Sequence, residues 1–96
     1  WRVYNSEEEL YKRAVKLLSK EAPYSEKDSM SISVLNDLSK QLYPVDAIEL
    51  FDDYPSPGRM KYYADELVKQ GLVISNDDDY SLPHAVKKAV IEVYSQ

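Results

Sequence analysis

Five stretches of this chain place apolar residues three and four apart, the spacing of one helical face, and a short β-prone run lies between the last two. Leu10, Ala14, Leu17 and Leu18 make the first stripe, widened by Tyr11 and Val15. Ser6 followed by Glu7, Glu8 and Glu9 reads as a capping box, in which Ser6 and Glu9 satisfy each other's backbone amides. The glutamates suit the positive end of the helix dipole, and Lys12, Arg13, Lys16 and Lys20 suit its negative end. Pro23 stops the pattern, which predicts a helix over 6–22.

Residues 24–28 read as a polar connection. From Ser29 or Ser31 a second helix carries Ile32, Leu35, Leu38 and Leu42 on one side and ends before Pro44. A third, shorter helix follows, with Val45, Ile48 and Phe51 three apart and Pro55 as its stop. The fourth has the clearest punctuation. Ser56 stands at the N-cap and Pro57 at the first helical position, while Gly71 follows the end, where a left-handed conformation is needed. Its inward stripe is Met60, Tyr63, Ala64, Leu67 and Val68. Leu72, Val73 and Ile74 form a β-prone run, Asn76 to Asp79 supply turn chemistry, and residues 80–82 return as the partner strand. Pro83 opens a last helix over 83–96, with Val86, Ala89, Val90, Val93 and Tyr94 at helical spacing.

Three helices and a hairpin over 29–82, with the phrase Glu66-Leu67-Val68-Lys69-Gln70-Gly71-Leu72-Val73 at the junction, resemble the winged helix-turn-helix superfamily. The resemblance covers about half the chain. It implies a mostly α fold with a small β-hairpin, here a winged core with additional N-terminal and C-terminal helices in a single domain spanning 1–96. It also implies that the helix over 57–70 is a recognition helix contacting double-stranded DNA in the major groove. The contact residues are then Ser56, Arg59, Lys61, Tyr62 and Lys69, with Arg59 reaching guanine edges, Lys61 a phosphate, and Ser56 with the first-turn amides another.

Charge complicates that expectation. The 96 residues carry a formal net charge of −5, the wrong sign for a broad phosphate-neutralising face. The expected wing tip is Asn76-Asp77-Asp78-Asp79, three carboxylates where a minor-groove wing carries Arg or Lys. Asp37, Asp46, Glu49, Asp52 and Asp53 stand against Lys40 alone between 29 and 55. Two functions follow, and the first is the one expected, because DNA binding is the commoner use of the fold this sequence resembles. One is a DNA-binding domain in transcription, replication or segregation; the other is an acidic winged-helix module that binds a protein with a basic surface.

Other chemistry is excluded residue by residue. There is no cysteine, His84 is the single histidine, and the two glycines form no phosphate loop, so neither a catalytic constellation nor a metal or cofactor site is predicted. The run Asp77–Asp79 lacks the alternation, central glycine and closing glutamate of a calcium loop. No apolar run reaches membrane-spanning length, and with no cysteine the chain is expected to be intracellular. It opens at Trp1 and reads as a piece of a longer protein. Nine tyrosines against one phenylalanine place many amphipathic rings at the core boundary or an interface. The flanking helices have apolar faces wide enough to need a partner, either the domain itself or a second copy meeting Leu10, Leu17, Val86, Val90 and Val93 across a two-fold axis.

Overall fold

A computed structural model of the chain describes residues 7–41, 43–52, 54 and 56–94. Ser6, Leu42, Asp53, Pro55, residues 1–5 and the Ile48 side chain, all used in the sequence reading, lie outside what it describes. The described chain is mostly helical with one small sheet. In order it runs α1 (Glu7–Leu18), α2 (Glu26–Ser39), β1 (Val45–Asp46), α3 (Ala47–Phe51), α4 (Pro57–Lys69), β2 (Ile74–Asn76), β3 (Asp79–Ser81) and α5 (His84–Tyr94). Among the described residues no helix is long and apolar enough to cross a membrane.

Three helix boundaries differ from the sequence pattern, each for a local reason. Helix α2 ends at Ser39, capped at Lys40, instead of running on to Pro44, because Leu38 is its last buried residue and Lys40 and Gln41 are exposed. Helix α1 ends at Leu18, four residues short of Ala22, because Leu18 is its last buried residue and everything from Ser19 to Lys27 is exposed. Without burial to offset the ordering of that segment, the helix unwinds before Pro23 is reached. Helix α2 starts three residues earlier than Ser29, at Glu26, because the Ser25 side chain accepts a hydrogen bond from the Asp28 amide at 3.1 Å. Residues 25–28 are thus a cap and first turn rather than a connection. The stretch S-x-x-D carried that signal ahead of any apolar position.

The larger correction is at Val45. It does not share a helical face with Phe51; it belongs to β1 and stands opposite Tyr80 of β3. The sheet therefore has three antiparallel strands in the order β1-β3-β2, with β3 central. The first hairpin strand begins two residues later than its apolar run, because Leu72 and Val73 are buried in the helix-to-strand turn and β2 starts only at Ile74, while β3 starts at Asp79, one residue earlier than expected. Asp77, in the left-handed region at φ 57°, makes the tight turn with Asp78.

Burial explains the assembly. Helix α1 lies mainly against α5, α2 against α4 and α5, and α3 against α4. Leu35, Leu67, Val34, Val86 and Val90 are the largest fully buried side chains, each contributing roughly 1.5–3 kcal/mol by its removal from water. Tyr11 on α1 donates its hydroxyl to Glu92 on α5, and Lys88 lies over the Tyr11 ring. Tyr80 ties the sheet to both helices of the α3–α4 pair. Its ring meets Phe51 edge-on at 5.7 Å, and its hydroxyl donates to Asp65 Oδ1 at 2.7 Å.

Candidate interaction surface

Helix α4 positions most of the candidate residues. Met60, Ala64 and Leu67 turn inward and are buried, so Arg59, Lys61, Tyr62 and Lys69 are left on the outward faces. Its C-terminal end is closed by a Schellman motif: Leu72 N–H donates to Leu67 O and Gly71 N–H to Val68 O, both at 3.0 Å, with Gly71 at φ 82°. The N-terminal end is different. Ser56 occupies the N-cap position as expected, but its side chain makes no capping bond and the residue is exposed.

Each cation of this helix is held by a carboxylate. Arg59 pairs with Glu26 of α2, which also accepts the Tyr63 hydroxyl at 3.0 Å. Lys61 donates to Asp65 Oδ2 at 2.9 Å, and Lys69 lies 3.1 Å from Glu66 Oε2. The hydrogen bonds to Asp65 and Glu66 are the main reason the Lys61 and Lys69 ammonium groups titrate above their ordinary value. Burial alone would raise the Asp65 carboxyl, but the Tyr80 hydroxyl and the Lys61 ammonium outweigh it and hold it below its ordinary value. These are exposed pairs, each worth about 0–1 kcal/mol, and their main consequence is local neutrality. Tyr62 is 59% exposed, with its ring edge-on to Tyr63.

The surroundings of α4 are charged with opposite sign at its two ends. Near the N-terminus a pocket of about 450 Å³ is lined by Asp46, Phe51, Asp52, Pro57, Gly58, Lys61 and Asp78, from β1, α3, α4 and the hairpin turn. Near the C-terminus a groove of about 300 Å³ is lined by the cations Arg13, Lys16, Lys20 and Lys27, by Asp28, which pairs with Lys20 at 3.1 Å, and by the apolar Leu67 and Leu72. This polarity follows the helix dipole, which favours carboxylates near an N-terminus and cations near a C-terminus. Asp77, Asp78 and Asp79 at the hairpin tip are exposed, and among the described residues they make no ion pair.

The residues expected at a two-fold interface are placed otherwise. Val86 and Val90 are fully buried in the protomer's own core, and Leu10, Leu17 and Val93 pack partly buried against the same cluster. The apolar faces of α1 and α5 cover each other, because burial within one chain needs no association entropy. No second copy is required to hide them. Among the described residues no group of three His, Cys, Asp or Glu side chains converges to hold a metal ion.

Sequence reasoning missed Glu26, Asp65, Tyr80 and Gly58. Glu26 lies 33 residues from Arg59 and carries no local signal. Asp65 was legible as the i+4 acidic partner of Lys61. Comparisons with protein families, curated proteins and solved structures return no match.

Proposed function

We propose that this chain is a winged helix-turn-helix module that binds a basic protein segment through the acidic face that β1, the residue after α3 and the hairpin turn form beside the N-terminus of α4. Support for the winged-helix reading is the succession α2, β1, α3, α4 and hairpin, with β1 and the hairpin in one sheet. Support for a protein partner is one observation above all. Arg59, Lys61 and Lys69 are each neutralised by a carboxylate, while the adjacent hairpin tip keeps three unneutralised ones. Duplex binding by α4 would require those cations to exchange their carboxylates for phosphates beside Asp77–Asp79, against Coulomb repulsion at short range.

The discriminating experiment is a titration at low salt, where both kinds of electrostatic contact are strongest. An Arg-rich peptide is expected to bind with an affinity that falls as salt rises, and a mixed-sequence duplex is expected to leave the protein unbound. Duplex binding that weakens on Arg59→Ala would overturn the reading in favour of DNA recognition by α4.

A further inference from the structure

We infer that the basic groove at the C-terminal end of α4 binds a phosphoryl group carried on a side chain of a protein partner. This site is separate from the acidic face and independent of what that face binds. The groove lies between the later half of α1, the first half of α2 and the end of α4. Lys20 is held by Asp28 at 3.1 Å, which leaves Arg13, Lys16 and Lys27 as its free cations. Among the described residues none of these three makes an ion pair. The cations of α4, by contrast, are each held by a carboxylate. Three like charges around one concavity repel each other and focus a positive potential there, in a chain whose formal net charge is −5.

Two further observations separate the groove from an ordinary solvated face. Lys16, in the last turn of α1, suits the dipole of its own helix. Lys27 stands in the first turn of α2, the end where the dipole disfavours positive charge, so its place gains nothing from its own helix. Ser31 is the second observation. It is only 4% exposed and lines the groove, yet its hydroxyl has no hydrogen-bond partner among the described residues. Its oxygen is not sealed from solvent and therefore opens into the groove, where it can donate to an oxyanion.

Charge and shape select the ligand. A carboxylate brings one negative charge and two oxygens. A phosphoryl monoester brings a charge of about −1.5 to −2 and three acceptor oxygens, which answers three cations and a hydroxyl. Leu17, Leu67 and Leu72 supply an apolar part of the lining for the carbon stem that carries the group. A duplex spreads many phosphates over a long surface and meets the negative charge of the rest of the chain. One phosphorylated side chain enters the concavity alone.

The test titrates the whole chain at low salt with short neutral peptides of one leucine-containing sequence, whose central residue is phosphoserine, glutamate or serine. Inorganic phosphate and a mixed-sequence duplex are titrated in parallel. Binding is followed by calorimetry and by the backbone amide shifts of Lys27 and Ser31. The phosphoserine peptide is expected to bind at least about tenfold tighter than the serine peptide, and about threefold tighter than the glutamate peptide or inorganic phosphate. Arg13→Gln with Lys16→Gln is expected to weaken it about tenfold, and Lys27→Gln or Ser31→Ala about threefold, with the unfolding midpoint held. Lys12→Gln, outside the groove, is expected to change nothing. Equal binding of the serine or glutamate peptide overturns the phosphoryl assignment. Equal binding of inorganic phosphate overturns the side-chain source, and duplex binding displaced by the phosphoserine peptide overturns the protein partner. Phosphoserine binding untouched by the groove variants overturns the site. Absence of phosphoserine binding overturns the inference and leaves the acidic-face reading standing.

Discussion

The two ends of α4 make an instructive pair. Both carry strong sequence punctuation, Ser56-Pro57-Gly58 at one and Gly71-Leu72-Val73 at the other. At the C-terminal end every part of that punctuation is used inside the fold. Gly71 turns left-handed, two amides close the last carbonyls, and Leu67, Leu72 and Val73 are buried together. At the N-terminal end the Ser56 side chain makes no cap, Gly58 faces open space, and a pocket stands beside them. One end of the helix is committed to stability. The other is left open to solvent.

That contrast is broken most severely at Leu67. It is 1% exposed and accepts the Leu72 amide in the Schellman motif. Leu67→Ala is expected to cost about 2–5 kcal/mol by creating a cavity at the closed end, read as a lowered urea midpoint. The glycines give a smaller effect with opposite signs. Gly71→Ala, at a φ where an L side chain is strained, is expected to lose about 1–2 kcal/mol. Gly58→Ala, with ordinary helical backbone and free space, is expected to be neutral or to gain up to about 1 kcal/mol. Equal losses at both glycines would remove the distinction between the two ends.

The smallest effect is a pH dependence midway along the helix. The Asp65 carboxyl is depressed in the folded state: burial pushes it up, and the Tyr80 and Lys61 contacts more than offset that. A depressed folded-state value adds stability that is complete above the unfolded pKa, about 3.9, and is lost as pH falls through the folded value. Wild type is therefore expected to exceed Asp65→Asn at neutral pH, with the difference shrinking in urea titrations as pH falls from about 4 and gone only below the depressed folded-state value. A difference that persists unchanged into acid would assign the contribution of Asp65 to shape rather than charge.

Legibility differed by the range of the interaction that fixed each feature. The stripe Met60–Ala64–Leu67, the Gly71 stop and the apolar face of α5 were readable because each depends on neighbours within a turn or two. The start of α2 was readable in principle, since Ser25 and Asp28 form a local cap, but apolar periodicity alone placed it three residues late. Val45 was misplaced in α3 because its partner, Tyr80, is 35 residues away and a two-residue strand has no pattern of its own. Arg59, Lys61 and Lys69 were found as the outward cations of α4, yet the Glu26 that neutralises Arg59 arrives from another helix.

The sequence by itself determined five helical segments, a hairpin with an acidic tip, a net negative chain and the absence of thiol or histidine-cluster chemistry. Each of these rests on composition or on contacts between near neighbours. Tertiary structure alone decided that β1 joins the hairpin as a third strand and that the apolar faces of α1 and α5 cover each other. It alone gathered Asp46, Asp52 and Asp78 around Gly58. Those features join residues far apart in the chain, and only the packing of the whole core fixes which distant surfaces meet.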